Sequence, residues 1–278
     1  ALTWEASAAN EAAGPVACVA CDGGYLRRFA PLFLAVLNRF AAPRQAVHLH
    51  IVDPADDAAA LMAELAGMAP KLRLGWSREP SPEGLTDDGR RTYYTFARFV
   101  RLNEIAARYP GAPLLVADID ACVLADPAAF VAPLTDQRPL ALQYFPENLA
   151  RIYDGVGGGL VVLRQEPAVM ALFERVRRFL LSWTATRRIH YFLDQMALTA
   201  GVDDALRRPD ALEILRLGAE GRVYCCGAGR FAQILDEKNR PGFAAAAERL
   251  IAELRGDDAG TGSAAAEARI LAALGVTG

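Results

Sequence analysis

The sequence predicts an α/β fold in which helices cover a mostly parallel sheet. Short apolar runs bounded by turn residues alternate along the chain with longer stretches of helical periodicity. This alternation is typical of parallel sheets, because two parallel neighbours need a crossover connection that is usually a helix. With 278 residues, 53% of them hydrophobic, the chain can also bury a large core.

The individual elements follow from these patterns in chain order. Strands are predicted at residues 16–21, 47–53, 71–76, 114–119, 140–144 and 159–163. Helices are predicted at residues 26–40, 55–68, 93–109, 168–182, 192–200 and 244–254. Residues 79–91 combine prolines, glycines and acidic side chains, so they are predicted to form a surface loop.

We expect one folded domain over residues 14–255, followed by a linker and a short helix over residues 256–278. The linker is predicted because residues 256–263 are polar and contain glycine. The terminal helix could dock, swing free or lead into a further domain. Because the chain begins at Ala1 rather than methionine, an additional domain outside this sequence is one expectation.

Charge and hydropathy exclude several classes of partner. A formal net charge of -3 provides no basic field for nucleic acid or an anionic membrane. Neither an apolar run of transmembrane length nor a signal-peptide pattern is present, so a cytoplasmic protein without a transmembrane segment is predicted.

Five cysteines are an odd number for a disulfide framework, so reduced thiols are expected. Cys18 and Cys21 have the spacing of a zinc half-site, which Cys225 and Cys226 could complete. The alternative is that Cys18 is a small hydrophobic residue of a strand.

The sharpest chemical signal is an apolar run that ends in two carboxylates at residues 114–120. Side chains two positions apart on a strand point to the same face, so Asp118 and Asp120 can converge while Ile119 turns into the core. Two hard oxygen ligands suit Mg²⁺ or Mn²⁺, with the remaining ligands supplied by water and substrate phosphates. The alternative is an acidic pair that simply ends a strand at the surface.

Four other segments carry polar or glycine residues beside predicted elements: residues 19–25, 94–98, 154–163 and 191–198. The first contains Asp22 and Tyr25 after a strand, and the second places Arg98 on a helix that leads to the acidic pair. The third is a glycine-rich turn into an apolar strand, and the fourth contains Asp194 followed by Gln195.

In this order the segments resemble the family 8 glycosyltransferases, which include bacterial lipooligosaccharide galactosyltransferases and glycogenin. The resemblance implies a GT-A domain with a Rossmann-like sheet, and transfer of a hexose from a UDP-sugar with retention of anomeric configuration. It also implies Mn²⁺ or Mg²⁺ as cofactor, bound by Asp118 and Asp120. The acceptor would be a carbohydrate, a lipid-linked sugar or a protein.

The resemblance assigns a role to each segment. Asp22 and Tyr25 would contact the uracil, and Arg98 would bind the donor, with Arg101 one helical turn away as an alternative. Gly158 and Gly159 would let the backbone approach the donor sugar. Together with Asp118, these residues form the implied donor site.

Two further residues, Asp194 and Gln195, would lie at the reacting sugar. The alternative for Asp194 is an ordinary role at the start of a helix.

The family's late histidine, which is a third metal ligand, has no counterpart here. His48 and His50 are read instead as partly solvated strand residues. A replacement phosphate contact could come from Arg230 or Lys238.

Two other functions remain open on the sequence alone. The same fold could be a noncatalytic sugar-nucleotide-binding or scaffold domain, since Gly24 and Gly157 stand where the family frequently has asparagine. Haloacid-dehalogenase-like phosphatases also carry two aspartates after an apolar strand, but they would place the motif near the start of the domain.

Overall fold

The structure is a computed structural model that describes residues 2–6, 14–148, 151–208, 212–220, 223–226, 229–234, 236–256 and 263–276. The strands are β1 (Thr3–Ala6), β2 (Val16–Asp22), β3 (Gln45–Val52), β4 (Leu72–Glu79), β5 (Leu114–Asp118), β6 (Ala121–Val123), β7 (Leu140–Tyr144), β8 (Val156–Leu163), β9 (Ile214–Arg216), β10 (Gly218–Glu220), β11 (Val223–Cys226) and β12 (Gly229–Gln233). The helices are α1 (Gly23–Phe40), α2 (Ala58–Met68), α3 (Asp87–Val100), α4 (Leu102–Arg108), α5 (Pro127–Gln137), α6 (Pro167–Ala185), α7 (Leu193–Leu206), α8 (Phe243–Gly256) and α9 (Ser263–Leu274).

An eight-stranded sheet forms the centre of the molecule, in the order β1-β4-β3-β2-β5-β8-β7-β9. Strands β4, β3, β2 and β5 run parallel to their neighbours in this set, and β8 joins β5 in the antiparallel sense. Buried apolar residues form one cluster that includes α1, α2 and α8, and another that includes α3, α4, α6 and α7. The predicted α/β class, with a mostly parallel central sheet flanked by helices, is confirmed.

A second, four-stranded sheet has the order β10-β11-β12-β6 and is antiparallel throughout. Its strand β6 begins one residue after Asp120, and the backbone N–H of Ile234 donates to the carbonyl of Asp120 at 3.1 Å. The acidic pair therefore lies where the chain passes from the large sheet to the small one.

The predicted helix at residues 93–109 is instead two helices. Arg101 ends α3 with φ -102° and ψ 0°, and α4 starts at the next residue. The helix also begins earlier than predicted, because the side chain of Thr86 accepts a hydrogen bond from the N–H of Gly89 at 3.1 Å and caps α3. Residues 79–91 are thus only partly a loop, and Glu79 is the buried last residue of β4.

The prediction that His48 and His50 are partly solvated is wrong, because both side chains are buried. The ring of His48 lies between Tyr109 and Ser77, at 3.1 Å and 2.9 Å. The ring of His50 lies between Ser77 and Glu79, at 3.0 Å from each. A parallel sheet covered by helices on both faces buries both sides of its inner strands, which explains why alternation was misleading here.

Helix α9 packs against α8 and buries Ala266, Ile270 and Leu274. The predicted linker falls largely on residues 257–262, which lie outside the described residues. No helix in the described part of the chain combines the length and apolar character that crossing a bilayer requires.

Candidate functional site

The predicted site lies at the carboxyl ends of two adjacent parallel strands. Asp22 ends β2 and Asp118 ends β5, and the two strands pair in register with Ala20 opposite Asp118. The chain continues from β2 to β3 on one side, whereas β5 occupies the other side. Such a switch point leaves a crevice outside the strand ends, which is where open α/β sheets bind ligands.

Arg98 connects three segments near this switch point. It is 4% exposed. Its guanidinium nitrogen Nη1 lies 2.8 Å from Oδ1 of Asp118, and Nη2 lies 3.6 Å from Oδ2 of Asp194. Nη2 also donates to the carbonyl of Gly158 at 3.0 Å. One buried cation thus joins β5, α7 and β8.

A second cation, Lys238, forms an ion pair with Asp120. The Nζ atom of this lysine also lies 5.5 Å from the ring centroid of Tyr25 and 5.9 Å from that of Phe29. The backbone carbonyl of Lys238 accepts a hydrogen bond from Arg28 at 2.5 Å. These contacts bring the turn around residue 238 against the start of α1.

The carboxylates of the site shift one another's pKa values. Removal from water raises the pKa of Asp118, and the nearby Asp120 and Asp194 raise it further, while Arg98 and Lys238 oppose the shift. Burial also raises the pKa of Asp194. An excess of buried negative charge is typical of functional sites, and it favours the binding of a further cation.

The glycines of β8 allow a close approach of backbone and side chains. A Cβ atom added at Gly158 would lie 3.1 Å from Oδ2 of Asp194, and one added at Gly159 would overlap Gln233 and lie 3.0 Å from Oδ2 of Asp118. Only the absence of a side chain leaves room for these contacts.

The donor atoms of the acidic pair fit a hard divalent cation. Asp118 and Asp120 supply carboxylate oxygens, and Mg²⁺ typically takes one or two carboxylates together with waters and substrate phosphates. Among the residues described by the structure, no group of three or more His, Cys, Asp and Glu side chains could hold a metal. The pair therefore fits an ion that shares its shell with a ligand.

The other predicted donor-site residues lie around the first strand. The carboxylate of Asp22 accepts hydrogen bonds from the N–H groups of Gly24 and Tyr25, at 2.7 Å and 3.1 Å, and so caps α1. The Tyr25 side chain is exposed. Asp194 and Gln195 both lie in the first turn of α7, and the backbone N–H groups of these two residues oppose the rise in the pKa of Asp194.

Two alternative contacts suggested by the sequence lie elsewhere. Arg101 pairs with Glu79 and, at 3.0 Å, with Glu104. Arg230 pairs at 3.1 Å with Glu267 of α9. Neither residue joins the cluster around Asp118. Arg101 is the residue at which α3 ends, and its side chain extends to Glu79 at the end of β4.

The zinc alternative has no support in the described residues. Cys18 and Cys21 are buried, and burial raises the pKa of both thiols. A thiol held in its neutral form is a poor zinc ligand. The side chains of Cys225 and Cys226 lie outside the described ones.

Sequence reasoning missed two polar residues near the site. Gln233, at the end of β12, approaches Gly159, but nothing in the sequence indicated that this strand reaches the site. Asp53 follows β3, where its carboxylate accepts hydrogen bonds from the hydroxyl of Tyr94 at 2.8 Å and the N–H of Ser81 at 2.7 Å. Its position as the last residue of a predicted strand, like that of the acidic residues at the ends of the other strands, was a signal that could have been used.

Comparisons with known proteins give structural likeness without sequence likeness. No family model matches the chain, and no curated protein matches it. Similar solved structures include the WbbM bifunctional glycosyltransferase (15% identity, TM-score 0.47, 74% of this chain and 39% of that one). Mouse xyloside xylosyltransferase 1 is another (11% identity, TM-score 0.45, 73% of this chain and 84% of that one). A third is the glycosyltransferase GlyE of Streptococcus pneumoniae TIGR4 (13% identity, TM-score 0.44, 88% of this chain and 52% of that one). The chain thus spans well under half of the first of these proteins and about half of the third.

Proposed function

We propose that the chain is a glycosyltransferase that moves a hexose from a UDP-sugar to an acceptor. The observation that supports this most is the cluster at the carboxyl ends of β2 and β5. There, Asp118 and Asp120 provide carboxylates that suit a divalent cation. The buried Arg98, the carboxylate of Asp194 and the glycine backbone of β8 lie beside them. Such a combination can bind a diphosphate and a sugar side by side.

The base of the donor would lie against the start of α1. Tyr25 exposes a ring on which uracil could stack, and the Asp22 carboxylate could accept its N–H group. Asp118 and Asp120 would hold Mn²⁺ or Mg²⁺, and the ion would neutralise the charge that develops on the diphosphate as the sugar departs. Arg98 orients Asp118 through their 2.8 Å contact.

The sugar would lie beside β8, where the absence of side chains at Gly158 and Gly159 lets Asp194, Asp118 and Gln233 approach the backbone. Asp194 and Gln195 would then face the anomeric carbon, and their oxygens could hold sugar hydroxyls or stabilise oxocarbenium-like charge. We include retention of configuration in the proposal on the ground of the family resemblance.

The acceptor would approach from the side of α7. Tyr191 and Phe192 immediately precede this helix and are 69% and 43% exposed, with ring centroids 4.4 Å apart. Exposed aromatic rings next to a polar site are suited to the apolar faces of a carbohydrate, whether free, lipid-linked or on a protein. A cytoplasmic location remains part of the proposal.

A screen of donor turnover tests the proposed function. Purified protein is incubated with individual UDP-hexoses and Mn²⁺, and released UDP is measured. We expect release from at least one donor. Binding of UDP without release from any donor would instead favour the noncatalytic sugar-nucleotide-binding domain, and release of phosphate from phosphate esters would favour the phosphatase.

A matched pair of glycine variants makes this screen specific to the site. Gly159→Ala places a methyl group against Gln233 and Asp118, so at least a tenfold loss of UDP release is expected. Gly67→Ala in α2 has no atom within 4 Å of the new Cβ and should leave the rate unchanged. Equal rates in the two variants would contradict the proposed position of the sugar.

A further inference from the structure

Lys238 occupies an unusual position for a surface lysine. Its side chain is 18% exposed, and that of its partner Asp120 is 11% exposed. The ammonium group is confined between this carboxylate and the rings of Tyr25 and Phe29. An ammonium group is compact and strongly hydrated, so partial burial costs free energy. The ion pair with Asp120 offsets that cost.

The charges of the site do not balance without a further cation. Three carboxylates, those of Asp118, Asp120 and Asp194, are in contact with two protein cations, Arg98 and Lys238. When all five groups are ionised, one negative charge remains. A diphosphate would add at least two more, so Lys238 alone cannot neutralise both Asp120 and a donor.

The two ion pairs differ in how easily they can open. Arg98 is 4% exposed and is held by two carboxylates and the Gly158 carbonyl, so its displacement would leave several buried groups unpaired. Within the described part of the chain, the ion pair of Lys238 is the one with Asp120, made through a flexible four-carbon side chain. Asp120 is therefore the carboxylate that can exchange its partner.

We propose that Lys238 is the internal counter-ion of Asp120 in the donor-free protein, and that a divalent cation displaces it when the donor binds. The released ammonium then pairs with the donor's phosphate. This inference rests on the proposed function. Binding of the cation and binding of UDP should therefore strengthen each other. The cation takes Asp120 from Lys238, and the phosphate of UDP gives the freed ammonium group a new partner.

Binding of Mn²⁺ alone tests the competition. Free and bound Mn²⁺ are separated by electron paramagnetic resonance in titrations of the wild type, Lys238→Met and Lys71→Met. Methionine keeps most of the apolar stem and removes the charge that competes for Asp120, so at least tenfold tighter Mn²⁺ binding than in the wild type is expected for Lys238→Met. Lys71 is exposed and lies far along the sequence from the site, so its variant should bind like the wild type.

Two additional measurements locate the effect. Adding Asp120→Asn to Lys238→Met should abolish the gain in Mn²⁺ affinity, and Mn²⁺ should raise the melting temperature of Lys238→Met more than that of the wild type. Lys238→Gln serves as a second neutral variant if methionine prevents folding. With Mn²⁺ present, UDP should bind the neutral variants more weakly than the wild type, because the phosphate contact is lost.

Equal or weaker Mn²⁺ binding by both neutral variants would overturn the proposal. A second result would also overturn it: the wild type binds UDP as tightly in EDTA as in Mn²⁺, while the neutral variants bind UDP less tightly in EDTA than in Mn²⁺. Lys238 would then replace the cation rather than compete with it. The Mn²⁺ titration does not depend on UDP, so a failure of the proposed function is seen separately, as absence of UDP binding.

Discussion

At the residue scale, Arg98 holds the site together. Its guanidinium group contacts Asp118 of β5, Asp194 of α7 and the carbonyl of Gly158 in β8, and it packs over the ring of Phe99 with Cζ 4.7 Å from the centroid. The ion pairs with the two carboxylates offset the cost of removing the arginine from water. The same ion pairs fix the positions of both carboxylates. Its removal leaves two carboxylates without their cation.

Arg98→Met should therefore destabilise the protein strongly. Breaking a buried ion pair from one side typically costs about 3–5 kcal/mol, because the remaining charge is uncompensated. The free energy of unfolding in urea measures this cost. The matched control is Arg91→Met, since Arg91 lies 3.8 Å from Asp88 with side chains 80% and 93% exposed, and its loss should change stability by no more than about 0.5 kcal/mol. Similar values for the two variants would contradict the role given to Arg98.

At the scale of elements, β3 and β4 share a buried chain of polar side chains that runs from His48 through Ser77 and His50 to Glu79. Tyr109 closes one end, and Tyr93 and Arg101 close the other. Burial lowers the pKa of His48 to about 3, with smaller contributions from His50 and Arg108. Hydrogen bonds and charges from His50 and Arg101 outweigh desolvation and lower the pKa of Glu79 to about 2.

The lowered pKa of His48 predicts that the contribution of this residue to stability falls as the pH decreases below neutrality, whereas the raised pKa of Asp118 acts in the opposite direction. Below its ordinary pKa near 6.5, His48 is protonated in the unfolded chain but stays neutral in the folded one, so each pH unit costs about 1.4 kcal/mol. Between pH 7 and pH 5 the wild type should lose about 2 kcal/mol through this residue. Glu79 adds its own loss only below about pH 4.5.

Urea unfolding at pH 7 and pH 5 checks this dependence on His48. His48→Gln should be less stable than the wild type at pH 7 but should lose about 2 kcal/mol less on acidification. His190→Gln removes an exposed histidine and should retain the wild-type slope. A slope that is the same in all three proteins would contradict the buried, neutral state of His48.

The elements also show what the sequence could predict. All six predicted strands are present, because buried parallel strands appear as continuous apolar runs bounded by turn residues. Strands β6, β9 and β10 have three residues each, too few to display alternation, and were missed. The buried histidines were misread because one-sided alternation does not reveal a second layer of helices on the other face.

At the scale of the whole molecule, the carboxyl-terminal helix belongs to the main core. Ile270 and Leu274 of α9 join the buried cluster that contains α1, α8 and the sheet. Arg230 links β12 to Glu267 of α9 at 3.1 Å. Helix α9 thus contacts α8 and the small sheet, and the small sheet in turn adjoins the end of β5.

Ile270→Ala should lower the stability of the whole molecule rather than release α9 alone. Ile270 is fully buried, and large-to-small substitution at such a position costs about 2–5 kcal/mol. The expected result is a single urea transition at a lower midpoint, seen equally by circular dichroism and tryptophan fluorescence. Ala272→Ser, at an exposed position of the same helix, should shift the free energy by about 0.5 kcal/mol or less. Two separate transitions would show that α9 is an independent unit.

The candidate site was predictable in part at this scale. Asp118 and Asp120 follow an apolar run, and the motif alone indicates two convergent carboxylates. The convergence of Arg98, Asp194 and Gly158 on one point depends on crossover connections, which no local pattern specifies. The same holds for Lys238, which lies 118 residues from its partner Asp120 along the chain.

The assignment as a glycosyltransferase is tested by calorimetric titration with UDP, in Mn²⁺ and in EDTA, on the wild type and on Asp118→Asn combined with Asp120→Asn. We predict that UDP binds the wild type at least tenfold more tightly in Mn²⁺, because Asp118 and Asp120 would hold the ion and the ion would supply positive charge for the diphosphate. The double variant should lose this dependence. Absence of UDP binding to the wild type under every condition would contradict the glycosyltransferase assignment.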